Sequence, residues 1–171
     1  MGGVIGVESV VGKGSVFWFE LKLTAEPQSV ASTAAMAVAK AAPAGLRTLL
    51  YVEDNPANLM LVEDLIARRS DLHLLSAQDG NLGVVLARTY RPDVILMDIH
   101  LPGISGIEAL KILRADATTA HIPVIAVSAN AMPGDIRKGL EAGFFRYLTK
   151  PLKVNEFMDA LDAALSAAET K

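Results

Sequence analysis

From residue 46 onward the chain alternates two hydrophobic patterns. Short runs of consecutive apolar and β-branched residues recur at Arg47–Val52, Leu72–Ser76, Asp93–Met97, Ile122–Val127 and Phe144–Leu148. Between them, apolar residues fall three or four apart, the spacing of one face of a helix. The clearest is Asn58–Arg69, with Leu59, Val62, Leu65 and Ile66 in register. Further helices are predicted over Leu82–Tyr90, Ile107–Arg114, Gly134–Ala142 and Val154–Ala168, the last with Phe157, Leu161 and Leu165 on one face. The run Asp93-Val94-Ile95-Leu96-Met97 shows no polar alternation, as expected of a strand covered on both sides.

Five strands alternating with five helices predict an α/β domain built on a parallel sheet with helices on both faces. Right-handed crossovers leave few topologies. Five strands suit the flavodoxin-like (βα)5 doubly wound arrangement, order 2-1-3-4-5. Residues 1–23 differ in character, being rich in Gly, Val and aromatics. There Val4–Ser9 and Val16–Leu23 read as two strands joined by a Gly-rich turn, a short N-terminal β-hairpin. Residues 24–45 are dominated by Ala, Ser, Thr and Pro and read as a linker. Ala34–Ala42 has helix propensity, so a helical stretch and an extended tether both remain open there. The domain proper is expected to span 46–171.

Composition narrows the function. The 171 residues carry a net charge of −3, which argues against a strongly basic nucleic-acid binder. The absence of cysteine excludes disulfides, thiolate metal sites and a thiol nucleophile. At 51% hydrophobic and 20% charged residues the chain can fill a core. No apolar run approaches the roughly 20 residues of a membrane helix, and no secretory signal opens the chain. A cytoplasmic protein with no nucleic-acid or membrane contact is the expectation.

In a sheet of this kind ligands bind beyond the carboxyl ends of the strands. The residues there are Glu53-Asp54 after the first predicted strand, Asp98 after the third, Ser128 after the fourth and Lys150-Pro151 after the fifth. Three carboxylates in one partly buried place repel, and Lys150 offers only one compensating charge. A hard divalent ion such as Mg²⁺, which prefers oxygen ligands, would supply the rest. A carboxylate beside such cations can attack phosphorus and form an acyl phosphate. Asp98 ends the predicted central strand and is the best-placed nucleophile; Ser128 can donate a hydrogen bond to a phosphoryl oxygen.

Four segments carry a resemblance. They are Val52-Glu53-Asp54-Asn55, Met97-Asp98-Ile99-His100-Leu101-Pro102-Gly103, Ala126-Val127-Ser128-Ala129 and Tyr147-Leu148-Thr149-Lys150-Pro151. Successive key residues lie 44, 30 and 22 positions apart. In that order and spacing, residues 46–171 resemble a response-regulator receiver domain. The resemblance implies that Asp98 is the phosphoacceptor. Glu53, Asp54, Asp98 and the backbone carbonyl of His100 would hold Mg²⁺, and Ser128 and Lys150 would contact the phosphoryl group. It also implies a cis Lys150–Pro151 bond and a Tyr147 ring whose rotation accompanies a movement of Ser128. The donor would be a phosphohistidine on a histidine kinase or a phosphotransfer domain. Such a domain is a phosphoacceptor with at most slow autodephosphorylation, not a turnover enzyme.

A second resemblance lies in Gly2–Ser9 followed by Gly12-Lys13-Gly14-Ser15-Val16-Phe17-Trp18-Phe19-Glu20-Leu21, similar to the end of a histidine-kinase ATPase domain. Gly12, Gly14 and Ser15 match its last glycine box. The earlier motifs of such a domain are missing, so this remnant cannot hold a nucleotide. The resemblance implies the tail of a hybrid sensor histidine kinase. An orphan hairpin invites self-association through its edges. His100 and Asn130, each two residues beyond a site residue, are expected to modulate the lifetime of the acyl phosphate. Ser128 could alternatively cap the next helix, and Phe145 could belong to a contact patch. Two other functions stay open from the residues alone. One is an aspartyl-nucleophile hydrolase of the haloacid-dehalogenase-like phosphatase kind, which expects an Asp where His100 stands. The other is an interaction domain independent of phosphorylation.

Overall fold

The computed structural model describes residues 3–10, 14–21 and 45–169. The N-terminal hairpin and the remainder divide into two units. Strands β1 (Gly3–Val10) and β2 (Gly14–Leu21) pair antiparallel, with Gly6 opposite Trp18. The linker expected over 24–45, apart from Gly45, lies outside the described residues, as does the open question of a helix at 34–42.

The larger unit contains β3 (Arg47–Val52), α1 (Pro56–Ile66), β4 (Leu72–Ala77), α2 (Gly80–Tyr90), β5 (Val94–Asp98), α3 (Gly106–Ala115), β6 (Val124–Ser128), α4 (Pro133–Ala142), β7 (Arg146–Thr149) and α5 (Val154–Glu169). Strands β3 to β7 form one parallel sheet in the order β4-β3-β5-β6-β7. Counted within that sheet the order is the expected 2-1-3-4-5. Because side chains alternate across a strand, Leu49 and Tyr51 join one core layer and Leu50 and Val52 the other. The first layer includes Val62 and Leu65 of α1 and Phe157, Leu161 and Leu165 of α5. The second includes Val84 of α2 and Leu110 and Leu113 of α3. The central strand β5 is buried along its whole length, which is why its sequence shows no alternation.

Local chemistry sets where the helices begin, and here the apolar pattern erred by a few residues. Asn55 caps α1 by accepting from the Ala57 N–H (2.9 Å), and Pro56 occupies the first turn, so the helix starts before the first apolar position. Asp79 caps α2 through the Leu82 N–H (2.9 Å), and Ser105 with Glu108 forms a reciprocal capping box on α3. The first residue of α4 is Pro133 and Ser128 does not cap it; that serine ends β6. The last strand was expected to begin at Phe144 and begins at Arg146. The Phe144 N–H instead returns to Gly139 O at the end of α4, where Gly143 adopts φ 106°. Phe144 is therefore a core residue without a place in the ladder, and Phe145 is exposed.

Gly106 ties α3 to the sheet at the point where the chemistry collects. A Cβ there would lie 3.0 Å from the Asp98 carbonyl carbon and closer still to its oxygen. The obstacle is backbone and cannot rotate away. Gly106→Ala is expected to destabilise the domain by about 2 kcal/mol and to displace the Asp98 backbone, read by urea unfolding of wild type and variant. An unchanged unfolding midpoint would contradict this packing.

Candidate functional site

Every strand of the parallel sheet ends at the same rim, so its last residues share one place. Glu53 and Asp54 follow β3, Asp98 is the last residue of β5, Ser128 the last of β6, and Lys150 follows β7. Glu53, Asp54 and Asp98 each offer an oxygen, and these oxygens lie within 4.8 Å of one another. Glu53 and Asp98 are only 1% and 4% exposed, whereas Asp54 faces solvent. The structure thus brings together the carboxylates that sequence spacing singled out.

Lys150 joins them. Its ammonium donates to Glu53 Oε1 (3.0 Å) and Oε2 (2.8 Å) and to Asp98 Oδ2. Burial disfavours a charged lysine, but these carboxylates outweigh it and raise the Lys150 pKa above the ordinary lysine value. Burial likewise pushes Glu53 up. Hydrogen bonds from Asn58, Lys150 and Tyr51 more than reverse that, and its pKa lies below the usual glutamate value. Asp98 Oδ1 accepts from the His100 N–H (2.8 Å), so both Asp98 oxygens are held.

Ser128 is fully buried; its Oγ accepts from the Asn130 N–H (3.1 Å), and its carbonyl accepts from the Lys150 N–H (2.8 Å). The Lys150–Pro151 peptide bond is cis. The Tyr147 hydroxyl donates to the Asn130 carbonyl (3.1 Å), and its ring packs over Gly139, where a Cβ would meet it at 2.6 Å. Ile99, Ser128, Asn130, Gly139 and Tyr147 line a cleft of about 190 Å³ between the rim and α4. The His100 and Asn130 residues are both exposed beside the rim.

Two participants escaped the sequence. Tyr51, read as one more apolar residue of β3, donates its hydroxyl to Glu53 Oε2 (2.7 Å) from inside the core. Asn58, in the first turns of α1, donates to Glu53 Oε1 (2.9 Å). The only available signal was indirect: a carboxylate at a buried strand end demands donors, and same-face residues two apart on a strand are the nearest candidates.

The donor set suits a hard cation. Three carboxylates against one ammonium leave a net charge of −2 at the rim, all ligand atoms are oxygen, and no cysteine or histidine side chain enters the group.

A five-stranded (βα)5 sheet with an acid cluster and a lysine at its carboxyl rim is the frame of a phosphoacceptor module. The chain belongs to the response regulator receiver domain family, which matches residues 49–162. It is similar to the polar-differentiation response regulator DivK of Brucella anthropi, 41% identical over 122 residues that cover 71% of this chain and 98% of that protein. The Brucella ovis DivK is 40% identical over the same length. Among solved structures it resembles the receiver domain of a sensor histidine kinase from Pseudomonas aeruginosa PAO1, with TM-score 0.65, 36% identity, and coverage of 71% of this chain and 98% of that one. That receiver domain has a magnesium ion coordinated in its active-site cleft.

Proposed function

We propose that Asp98 accepts a phosphoryl group from a phosphohistidine, on a histidine kinase or a phosphotransfer domain, with Mg²⁺ as cofactor. The observation that carries this is the placement of Asp98, buried at the end of the central strand with Lys150 on one oxygen and the His100 N–H on the other. An Asp98 oxygen attacks phosphorus as the P–N bond to the donor imidazole breaks, and the electron pair leaves with the imidazole nitrogen. Lys150 balances the charge carried by the phosphoryl oxygens, and the Ser128 hydroxyl donates to one of them. Glu53, Asp54, Asp98 and the His100 carbonyl are the residues to hold Mg²⁺, which when bound supplies charge neutralisation at those oxygens. Ser128 and Tyr147, which line one cleft with Gly139 of α4, are the switch that reports the modification.

Incubation with a small acyl phosphate and Mg²⁺, followed by intact-mass measurement, tests the reading. One added phosphoryl group per chain is expected; none would defeat it. Turnover of a phosphate monoester would instead favour the hydrolase reading, which the lack of a carboxylate at His100 opposes.

Asn130 and His100 flank the rim without holding Asp98 through their side chains. Replacing either with alanine is expected to change the half-life of the acyl phosphate several-fold without preventing its formation. Equal decay rates in wild type and both variants would remove them from that role.

The domain division at 1–23, 24–45 and 46–171 and the hybrid sensor histidine kinase parent belong to the same proposal. The antiparallel pairing of β1 with β2 and the glycine-box match in residues 12–15 support an ATPase-domain remnant before the receiver. Self-association through that hairpin remains part of the proposal, tested by the oligomeric state with and without residues 1–23. No described helix is long and apolar enough to cross a membrane.

A further inference from the structure

Glu53 has more donors than a carboxylate ordinarily collects. Oε1 accepts from the Asn55 N–H (3.2 Å), Asn58 Nδ2 (2.9 Å) and Lys150 Nζ (3.0 Å). Oε2 accepts from the Tyr51 hydroxyl (2.7 Å) and Lys150 Nζ (2.8 Å). Only Lys150 among these is charged, and it is shared with Asp98. The neutral donors therefore compete with Lys150 for Glu53, and what they win leaves Lys150 freer for Asp98.

We infer that Tyr51 and Asn58 are positioning residues for phosphoryl transfer: they hold both oxygens of Glu53 from the core side and so set how Lys150 is shared between Glu53 and Asp98. Tyr51 suits this task. It is fully buried among Leu49, Val62 and Phe157, so its ring is fixed, and the hydroxyl reaches the rim from a rigid base. A phenol is protonated at neutral pH, so the hydroxyl is available as a donor to the carboxylate it faces at 2.7 Å. Asn58 approaches from α1, an independent element, and an amide directed at Oε1 leaves the carboxylate no second orientation with equal satisfaction. The pairing also depends on side-chain length. Shortening Glu53 to an aspartate would draw its oxygens back by one methylene and out of reach of a hydroxyl 2.7 Å away.

This inference rests on Asp98 being the acceptor, and its test separates the two. The measurements are the phosphorylation rate with a small acyl phosphate and, without any donor, the Mg²⁺ dissociation constant by calorimetry. Tyr51→Phe keeps the ring and removes the hydroxyl. Its maximal phosphorylation rate is expected to fall about five- to tenfold, with little change in the donor concentration giving half that rate. Its Mg²⁺ dissociation constant is expected to rise about tenfold, because Glu53 loses a fixed orientation. Asn58→Ala, which leaves the core intact, is expected to act in the same direction and keeps the inference testable should Tyr51→Phe not fold.

Glu53→Asp supplies the readout that a mere packing role would not move. In that background the hydroxyl has no carboxylate to hold, so the double variant Tyr51→Phe with Glu53→Asp should be no slower, and bind Mg²⁺ no more weakly, than Glu53→Asp alone. Wild-type rates and Mg²⁺ affinity in both Tyr51→Phe and Asn58→Ala would overturn the inference. So would a Tyr51→Phe effect of equal size in the wild-type and Glu53→Asp backgrounds, since the tyrosine would then act through packing. Failure of the wild type to gain a phosphoryl group would defeat the acceptor reading alone, and the Mg²⁺ comparison would still decide the role of Tyr51 and Asn58.

Discussion

Asp98→Asn is expected to abolish phosphoryl incorporation from a small acyl phosphate, with no gain of mass, while leaving the domain folded. Asparagine keeps the shape of the side chain and an oxygen to accept from the His100 N–H, which holds Asp98 Oδ1 at 2.8 Å. It lacks the carboxylate that forms the acyl phosphate, so no bond to phosphorus can form by the proposed route. Stability should respond little. The substitution removes the Lys150–Asp98 attraction, but also the repulsion among three acids whose oxygens lie within 4.8 Å. These act in opposite directions, and the unfolding free energy in a chelator should change by less than about 1 kcal/mol. Mass gain that survives the substitution would place the acceptor elsewhere.

Lys150→Met is expected to cost stability as well as chemistry. Lys150 is the cation between two buried carboxylates, its side chain 21% exposed against 0% for Glu53 and 5% for Asp98. Methionine keeps the length and removes the charge, leaving two acids facing each other. Breaking a buried ion pair on one side costs about 3–5 kcal/mol; the partial exposure of Lys150 brings the expectation to about 2–3 kcal/mol in a chelator. Added Mg²⁺ should recover part of it. Phosphorylation should slow by about 10²-fold or more, the usual consequence of removing a preorganised charge from the reacting oxygens.

The same network fixes the sign of the pH dependence. The raised Lys150 pKa means its contribution is whole below the ordinary lysine range and is lost as pH rises through the folded-state value. The lowered Glu53 pKa means its contribution is whole above the ordinary glutamate range and is lost as pH falls through the folded-state value. Lys150→Met should reduce the alkaline limb when unfolding in a chelator is followed against pH, the buried Tyr51 phenol supplying the part that remains. An alkaline limb of undiminished size in the variant would assign it to other groups.

Much of this was legible along the chain because it depends on local order. The unbroken apolar run at Val94–Met97 announced a strand covered on both faces, and the four-residue spacing of Phe157, Leu161 and Leu165 announced the inner face of the last helix. Glu53, Asp54, Asp98 and Lys150 could be named as partners because the carboxyl ends of parallel strands share one rim. Boundaries were less legible. Phe144 is as apolar as a strand residue, yet its N–H closes α4, and only the path of the backbone distinguishes the two.

Residue order alone therefore determined which elements form, apart from their exact ends, and which acids meet, since periodicity and strand direction are encoded locally. Tertiary structure decided who satisfies those acids. Tyr51 looks apolar in its strand and Asn58 looks like an ordinary surface residue of its helix. Asn58 becomes a donor to Glu53 only when α1 is placed beside the end of β3, and Tyr51, two residues away on the same face, only when its ring is fixed in the core, because a hydrogen bond is set by distances of a few tenths of an ångström that residue order does not record.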